Sequence, residues 1–278
     1  MTRPDARSAT RVTSRDGTAI GYFTSGDGPP LLLVHGGLGD HTRWDALRPL
    51  LEPHVTVHAM DRRGRGASGD HPEYAIEREY EDVAAVVDGV AAAAGSEVDV
   101  YCSSYGGLCA FGAAALTSNI RCLALYEGWP PVSPEAYLPA PGFVERVEAL
   151  LAAGEREAAL EITYLELVGL RREELETVRA QPSWPARIAA AHTIPREERA
   201  FLKTRFDPGQ ARAITVPTLL LIGSETPVSK HDVDTVAAAL PDARIAILRG
   251  QAHVADLTAP ALVAEPLLAF LREQWHRG

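Results

Sequence analysis

Two rhythms of apolar and polar residues alternate along the chain. Short, mostly apolar runs recur at Leu31–Val34, Val55–Met60, Val98–Cys102, Ile120–Tyr126, Val216–Ile222 and Arg244–Leu248. Runs of this length predict strands buried on both faces, as in a parallel sheet. Between them, apolar residues fall at helical spacing. Examples are Trp44, Leu47, Leu50 and Leu51, then Val83, Val86, Val87 and Val90, then Tyr105 to Leu116 and Val233 to Leu240. A last amphipathic helix spans Pro260 to Trp275, with a kink or restart expected at Pro266. Ala91–Ala94 reads as a helix end, with Gly95 as its C-cap. At the start, Arg11–Ser14 and Thr18–Thr24 flank the turn signal Asp16-Gly17 and predict an antiparallel hairpin. Strand–helix alternation implies right-handed βαβ units and an α/β fold with a mostly parallel sheet.

One stretch breaks the alternation. Five prolines (130, 131, 134, 139 and 141) follow Glu127. Helical patterns then run through Phe143–Ala153, Glu155–Val168, Arg172–Ala180 and Arg196–Lys203, with no strand pattern among them. The expected organisation is a core of residues 11–127 and 211–278, with residues 128–210 inserted as a helical lid. Inserted segments of this size are usually functional.

Composition narrows the class. The chain has 278 residues, 46% apolar and 23% charged, as expected for a globular domain and not for a disordered chain. Its 27 Lys and Arg against 37 Asp and Glu give a net charge of −10. That field repels phosphate backbones and anionic membrane surfaces, which argues against nucleic acid and membrane partners. No apolar run approaches the roughly 20 residues of a membrane helix, and Met1–Ser14 lacks the apolar core of a secretion signal. Cys102, Cys109 and Cys122 are odd in number and form no Cys-x-x-Cys pair, so neither a disulfide framework nor a metal set is indicated. A cytoplasmic monomer or homodimer is the expectation.

The most informative segment is Val98-Asp99-Val100-Tyr101-Cys102-Ser103-Ser104-Tyr105-Gly106-Gly107. An apolar strand runs into small-x-Ser-x-Gly and then a helix, the context of a nucleophile elbow centred on Ser104. Registering the turn on Ser103 puts glycine one place too late. The plainer reading is a serine pair capping a helix. His35-Gly36-Gly37-Leu38-Gly39 follows the first buried strand. Its glycines let backbone amides face a ligand, so Gly37 and Tyr105 are candidate oxyanion donors. His35 reads as a structural hydrogen-bonding group rather than a base.

A serine hydroxyl needs a base. His253, in Gly250-Gln251-Ala252-His253 after the last strand, sits where an open α/β sheet presents ligand groups. His54, His58, His71, His192 and His276 have less favourable positions. For the acid that orients the base, Glu225 is preferred, as the first carboxylate after Val216–Ile222, in the chain order Ser…Glu…His. Glu127, at the end of Ile120–Tyr126, is a further candidate, as are Asp232 and Asp234. A solvated surface carboxylate is the commoner fate of each.

From about Gly17 to Leu271 the chain resembles the α/β-hydrolase superfamily. The resemblance is carried by His35-Gly36-Gly37, Asp61-Arg62-Arg63-Gly64-Arg65-Gly66-Ala67-Ser68, Cys102-Ser103-Ser104-Tyr105-Gly106-Gly107 and Gly250-Gln251-Ala252-His253. It implies an eight-stranded sheet, a helical lid and a Ser–His–acid triad, with the Asp61–Ser68 segment as a structural turn beneath the site. Two departures stand out: Cys102 where glycine is usual, and Glu225 where aspartate is commoner.

These residues point to acyl transfer to water from a small or medium, partly apolar ester, lactone or thioester. The chemistry needs no metal or organic cofactor. Leu38, Trp129, Tyr137 and Tyr164 are expected to line the substrate pocket, and strongly anionic substrates to be repelled. The same fold hosts other chemistries. A lyase, a cyclase, a cofactor-free oxygenase and a ligand-binding receptor are the rival readings. Epoxide hydrolase and dehalogenase chemistry need a carboxylate at the position of Ser104.

Overall fold

The computed structural model describes residues 8–133, 138–226 and 230–276. Eight strands form one sheet: β1 (Thr10–Thr13), β2 (Ala19–Gly26), β3 (Pro30–Val34), β4 (Thr56–Met60), β5 (Val98–Ser103), β6 (Ile120–Tyr126), β7 (Thr218–Gly223) and β8 (Ala243–Leu248). Their order is β1-β2-β4-β3-β5-β6-β7-β8. Only β1 with β2 and β2 with β4 pair antiparallel. The remaining pairs are parallel, so the carboxyl ends of β3, β5, β6, β7 and β8 lie along one edge.

The strands alternate their side chains between two cores. Leu32, Val34, Val100 and Cys102 face one way, and Leu31, Leu33, Tyr101 and Ala124 the other. On the first face lie α2 (Ile76–Ala94) and α3 (Tyr105–Ala113); the short α1 (Arg48–Leu51) precedes β4 on the second. Val83, Val86, Val87 and Val90 of α2 are all fully buried. Each such side chain contributes about 1.5–3 kcal/mol on leaving water. Gly95 ends α2 in a left-handed turn (φ 67°), its N–H donating to Ala91 O. Leu50 departs from its expected pattern: it is 38% exposed, while Trp44, Leu47 and Leu51 are buried.

The described residues between β6 and β7 form helices only. These are α4 (Phe143–Ala152), α5 (Arg156–Ile162), α6 (Arg172–Arg179), α7 (Trp184–Ala190), α8 (Ile194–Phe201) and α9 (Pro208–Ala213), with a π-helical turn at Thr163–Leu167. They share a third core of Phe143, Val147, Leu160, Tyr164, Leu175 and Trp184, which also takes in Leu38 and Val254 from the sheet side. The chain then completes the layers with α10 (Lys230–Ala239), α11 (Ala255–Thr258) and α12 (Pro260–Trp275). Pro266 is accommodated inside α12, which continues as one helix and does not restart. No helix among the described residues is long and apolar enough to cross a membrane.

Buried ion pairs tie the inserted helices to the sheet. Arg62 pairs with Glu79 of α2 and, at 2.8 Å, with Glu197 of α8. Arg65 also pairs with Glu197 and donates to Thr193 Oγ1. Arg63 holds Asp82 and Asp16. The arginines after β4 are therefore committed to carboxylates of the fold. Beside them, burial and the charges of Arg65 and Arg62 hold His35 well below the usual imidazole range. His35 is thus neutral, with its Nδ1–H donating to Gly36 O and Nε2 accepting from Arg62 N–H.

Candidate active site

Ser104 stands between β5 and α3 with φ 55° and ψ −130°, a conformation that L-residues rarely adopt. The turn is fixed by close backbone packing. A Cβ on Gly106 would lie 2.4 Å from His35 O, and one on Gly107 would lie 2.2 Å from Gly128 O. Only glycine fits at these positions, so the strain at Ser104 is held by its neighbours. Cys102 lies under the turn, fully buried in the core that backs α3. Burial pushes its thiol pKa up, away from thiolate chemistry.

Ser104 Oγ lies 2.9 Å from His253 Nε2, and His253 Nδ1 lies 2.7 Å from Glu127 Oε2. With Glu127 ionised, Nδ1 carries the proton and donates it, leaving Nε2 to accept from the serine hydroxyl. The Glu127 side chain is fully buried. It also accepts from Gly223 N–H at 2.8 Å and Thr226 Oγ1 at 2.9 Å. The loop carrying His253 is anchored by Tyr126, whose hydroxyl donates to Ala252 O.

The carboxylate that meets His253 therefore follows β6. Glu225 does not reach His253: it is exposed, its carboxylate accepts from Ser224 Oγ at 2.8 Å, and its backbone N–H donates to Gln251 O. Strand order supplies the physical reason. β6 lies beside β5, and Ser104 N–H donates to Tyr126 O, so the residue after Tyr126 stands next to the elbow. Glu127 then turns inward through a left-handed backbone (φ 46°), and Gly128 packs against Ser104 O. At the end of β7 the chain has already turned outward at Ser224. In the sequence this arrangement shows only as a Glu-Gly pair directly after a mostly apolar strand. Asp232 sits on α10, where it accepts from Ser133 Oγ, and Asp234 pairs with Lys230.

A cavity of about 390 Å³ opens over Ser104 and His253. Gly37, Leu38, Tyr105, Trp129 and Tyr164 line it, and so do Ile194, Glu197, Glu198 and Phe201 of α8. Tyr137 lies outside the described residues. Tyr105 is the first residue of α3, so its amide has no partner within the helix and is available at the elbow. A Cβ on Gly36 would sit 3.4 Å from Ser104 Oγ, which brings the Gly36-Gly37 backbone alongside the hydroxyl. Leu38 takes a left-handed conformation (φ 59°), with its carbonyl held by the buried Arg187 at 3.1 Å. Arg187 also donates to Tyr164 Oη at 2.7 Å, joining the glycine loop to the inserted helices.

Asp40, His41 and Asp61 bring ligand-type atoms within 4.8 Å of one another. Their oxygens are engaged by the turn itself: Asp61 accepts from His41 and Ala67 amides, and Asp40 from Thr42. That cluster shapes the loop beneath the site.

Comparison with known proteins identifies the fold family. A sequence profile described as "Alpha/beta hydrolase family" matches residues 31–265. The crystal structure of an alpha/beta hydrolase from Sphaerobacter thermophilus DSM 20745 superposes with a TM-score of 0.80 at 36% identity, covering 94% of this chain and 100% of that one. A "Putative carbamate hydrolase RutD" from Azorhizobium caulinodans is 29% identical over 273 residues, 91% of this chain and 94% of that protein. A 59-residue segment, 20% of the chain, is 41% identical to "Probable oxidoreductase EphD" of Mycobacterium tuberculosis and spans only 10% of that longer protein. With the profile covering most of its length, the chain belongs to the alpha/beta hydrolase family.

Proposed function

We propose that the protein is a serine hydrolase that cleaves a small or medium, partly apolar carboxylic ester, lactone or thioester through an acyl-enzyme. The observation that carries this reading is the continuous Ser104–His253–Glu127 hydrogen-bonded chain at the floor of a cavity.

Ser104 Oγ attacks the substrate carbonyl carbon while His253 Nε2 takes the hydroxyl proton. Glu127 keeps the imidazole in the accepting tautomer and stabilises the imidazolium that forms. The tetrahedral oxyanion is met by the amides of Gly37 and Tyr105, each such donor contributing about 3 kcal/mol. His253 then returns its proton to the leaving alcohol or thiol, and the C–O or C–S bond breaks. Water, deprotonated by the same nitrogen, attacks the acyl-enzyme and frees the acid. Leu38, Trp129 and Tyr164 supply the apolar walls, consistent with a partly apolar substrate.

A carbamate offers the same carbonyl to the same serine. The full-length similarity to a putative carbamate hydrolase favours it as a second substrate class. The test is a panel of p-nitrophenyl esters of increasing acyl length, with an aryl carbamate alongside, assayed on wild type and Ser104→Ala. Turnover that Ser104→Ala abolishes supports the reading. Turnover that it leaves intact refutes it.

A further inference from the structure

Glu198 is a carboxyl that the chemistry above does not use. It shares with Ile194, Glu197 and Phe201 the face of α8 that lines the cavity over Ser104. Its neighbour Glu197 is ion-paired with Arg62 and Arg65. Glu198 is only 6% exposed, and its Oε1 is buried with no hydrogen-bond partner among the described residues. Burial and the charge of Glu197 push its pKa up to about 7. A buried polar oxygen without a partner destabilises a fold unless something completes it. Aromatic residues Trp129, Tyr164 and Phe201 line the same cavity. A carboxylate set among aromatic walls suits an organic cation, which gains both an ion pair and ring faces. An anion is repelled there, and an alkyl group leaves the oxygen unsatisfied.

We propose that Glu198 is a specificity-determining residue that seats an ammonium group of the substrate, so that the site prefers amine-bearing carbonyl compounds. For turnover this rests on Ser104 acting as the nucleophile; for binding it does not.

Two measurements test the proposal separately. In the first, kcat/KM is compared between p-nitrophenyl esters of a homologous series of ω-amino acids and alkyl esters of matched length. Wild type is expected to favour the amino ester by about tenfold or more, equivalent to about 1.4 kcal/mol. Glu198→Gln and Glu198→Leu lose that preference, and Glu198→Asp, which keeps the charge, retains part of it. In the second, calorimetry measures hexylammonium and hexanol binding to Ser104→Ala and to Ser104→Ala/Glu198→Gln. The ammonium binds more tightly by a similar factor to the first protein and by none to the second. Absence of all esterase turnover removes the hydrolase reading and leaves the binding result to decide this one. A hexylammonium affinity no better than that of hexanol overturns the proposal, as does an amine preference that survives in Glu198→Gln.

Discussion

Replacing Glu127 with Gln isolates the orienting role of the carboxylate from its bulk. The side chain accepts three hydrogen bonds, from Gly223 N–H, Thr226 Oγ1 and His253 Nδ1–H. A glutamine has one accepting oxygen and one donating amide. If its NH2 faces His253, the imidazole flips tautomer, Nε2 carries the proton, and Ser104 has no base. If its oxygen faces His253, the NH2 meets the N–H of Gly223, and a buried donor is left unmatched at about 1–3 kcal/mol. The first arrangement avoids that penalty and is the expected one. Loss of the correct tautomer lowers turnover in such triads by about ten-thousandfold, or about 5 kcal/mol in the barrier. The assay is steady-state kcat on a short-chain p-nitrophenyl ester, with circular dichroism melting to verify the fold. Glu225→Gln, at the exposed position, leaves kcat within about twofold, because surface substitutions rarely exceed ±0.5 kcal/mol. Glu127→Gln retaining near-native kcat, or Glu225→Gln losing it, refutes the assignment of the acid.

Three further outcomes follow from the same contacts. Ser104→Gly relieves the left-handed strain at the elbow and raises stability by about 1 kcal/mol, read as an upward melting shift of about 2 °C with activity lost. Glu197→Gln leaves Arg62 and Arg65 buried with one fewer carboxylate between them. It lowers the unfolding free energy by about 3 kcal/mol in urea titration, as removal of one member of a buried pair does. Glu198 has a folded pKa near 7, above its ordinary value of 4.5, so the folded state binds the proton more tightly than the unfolded one. Its contribution to stability is present in acid and is lost as pH rises through that window, by up to roughly 3 kcal/mol. Unfolding free energies measured at several pH values therefore decline more steeply for wild type than for Glu198→Gln, and parallel curves contradict this.

Much of the architecture can be read from periodicity because each strand of the sheet centre is buried on both faces. Leu31–Val34 and Ile120–Tyr126 announce themselves for that reason. The elbow and the late histidine are legible too, since both follow strand ends that parallel pairing brings to one edge. The acid is harder. Glutamates follow the ends of both β6 and β7, and nothing in composition tells which side chain turns inward. The positive φ of Glu127 and the packing of Gly128 on Ser104 O decide it, and both are tertiary facts. The helix Trp184–Ala190 escapes the apolar pattern because one of its buried residues is Arg187, held by Tyr164 and the Leu38 carbonyl. The bridge from Arg62 to Glu197 joins residues 135 positions apart and leaves no local trace.

The central claim is a covalent acyl group on one serine. Rapid mixing with a p-nitrophenyl ester, followed by an acid quench and intact-mass analysis, tests it most directly. A burst of about one p-nitrophenolate per chain, with the acyl mass mapping to the peptide that holds Ser104 and absent from Ser104→Ala, is the predicted result. Steady turnover with no burst and no acyl adduct on that peptide contradicts it.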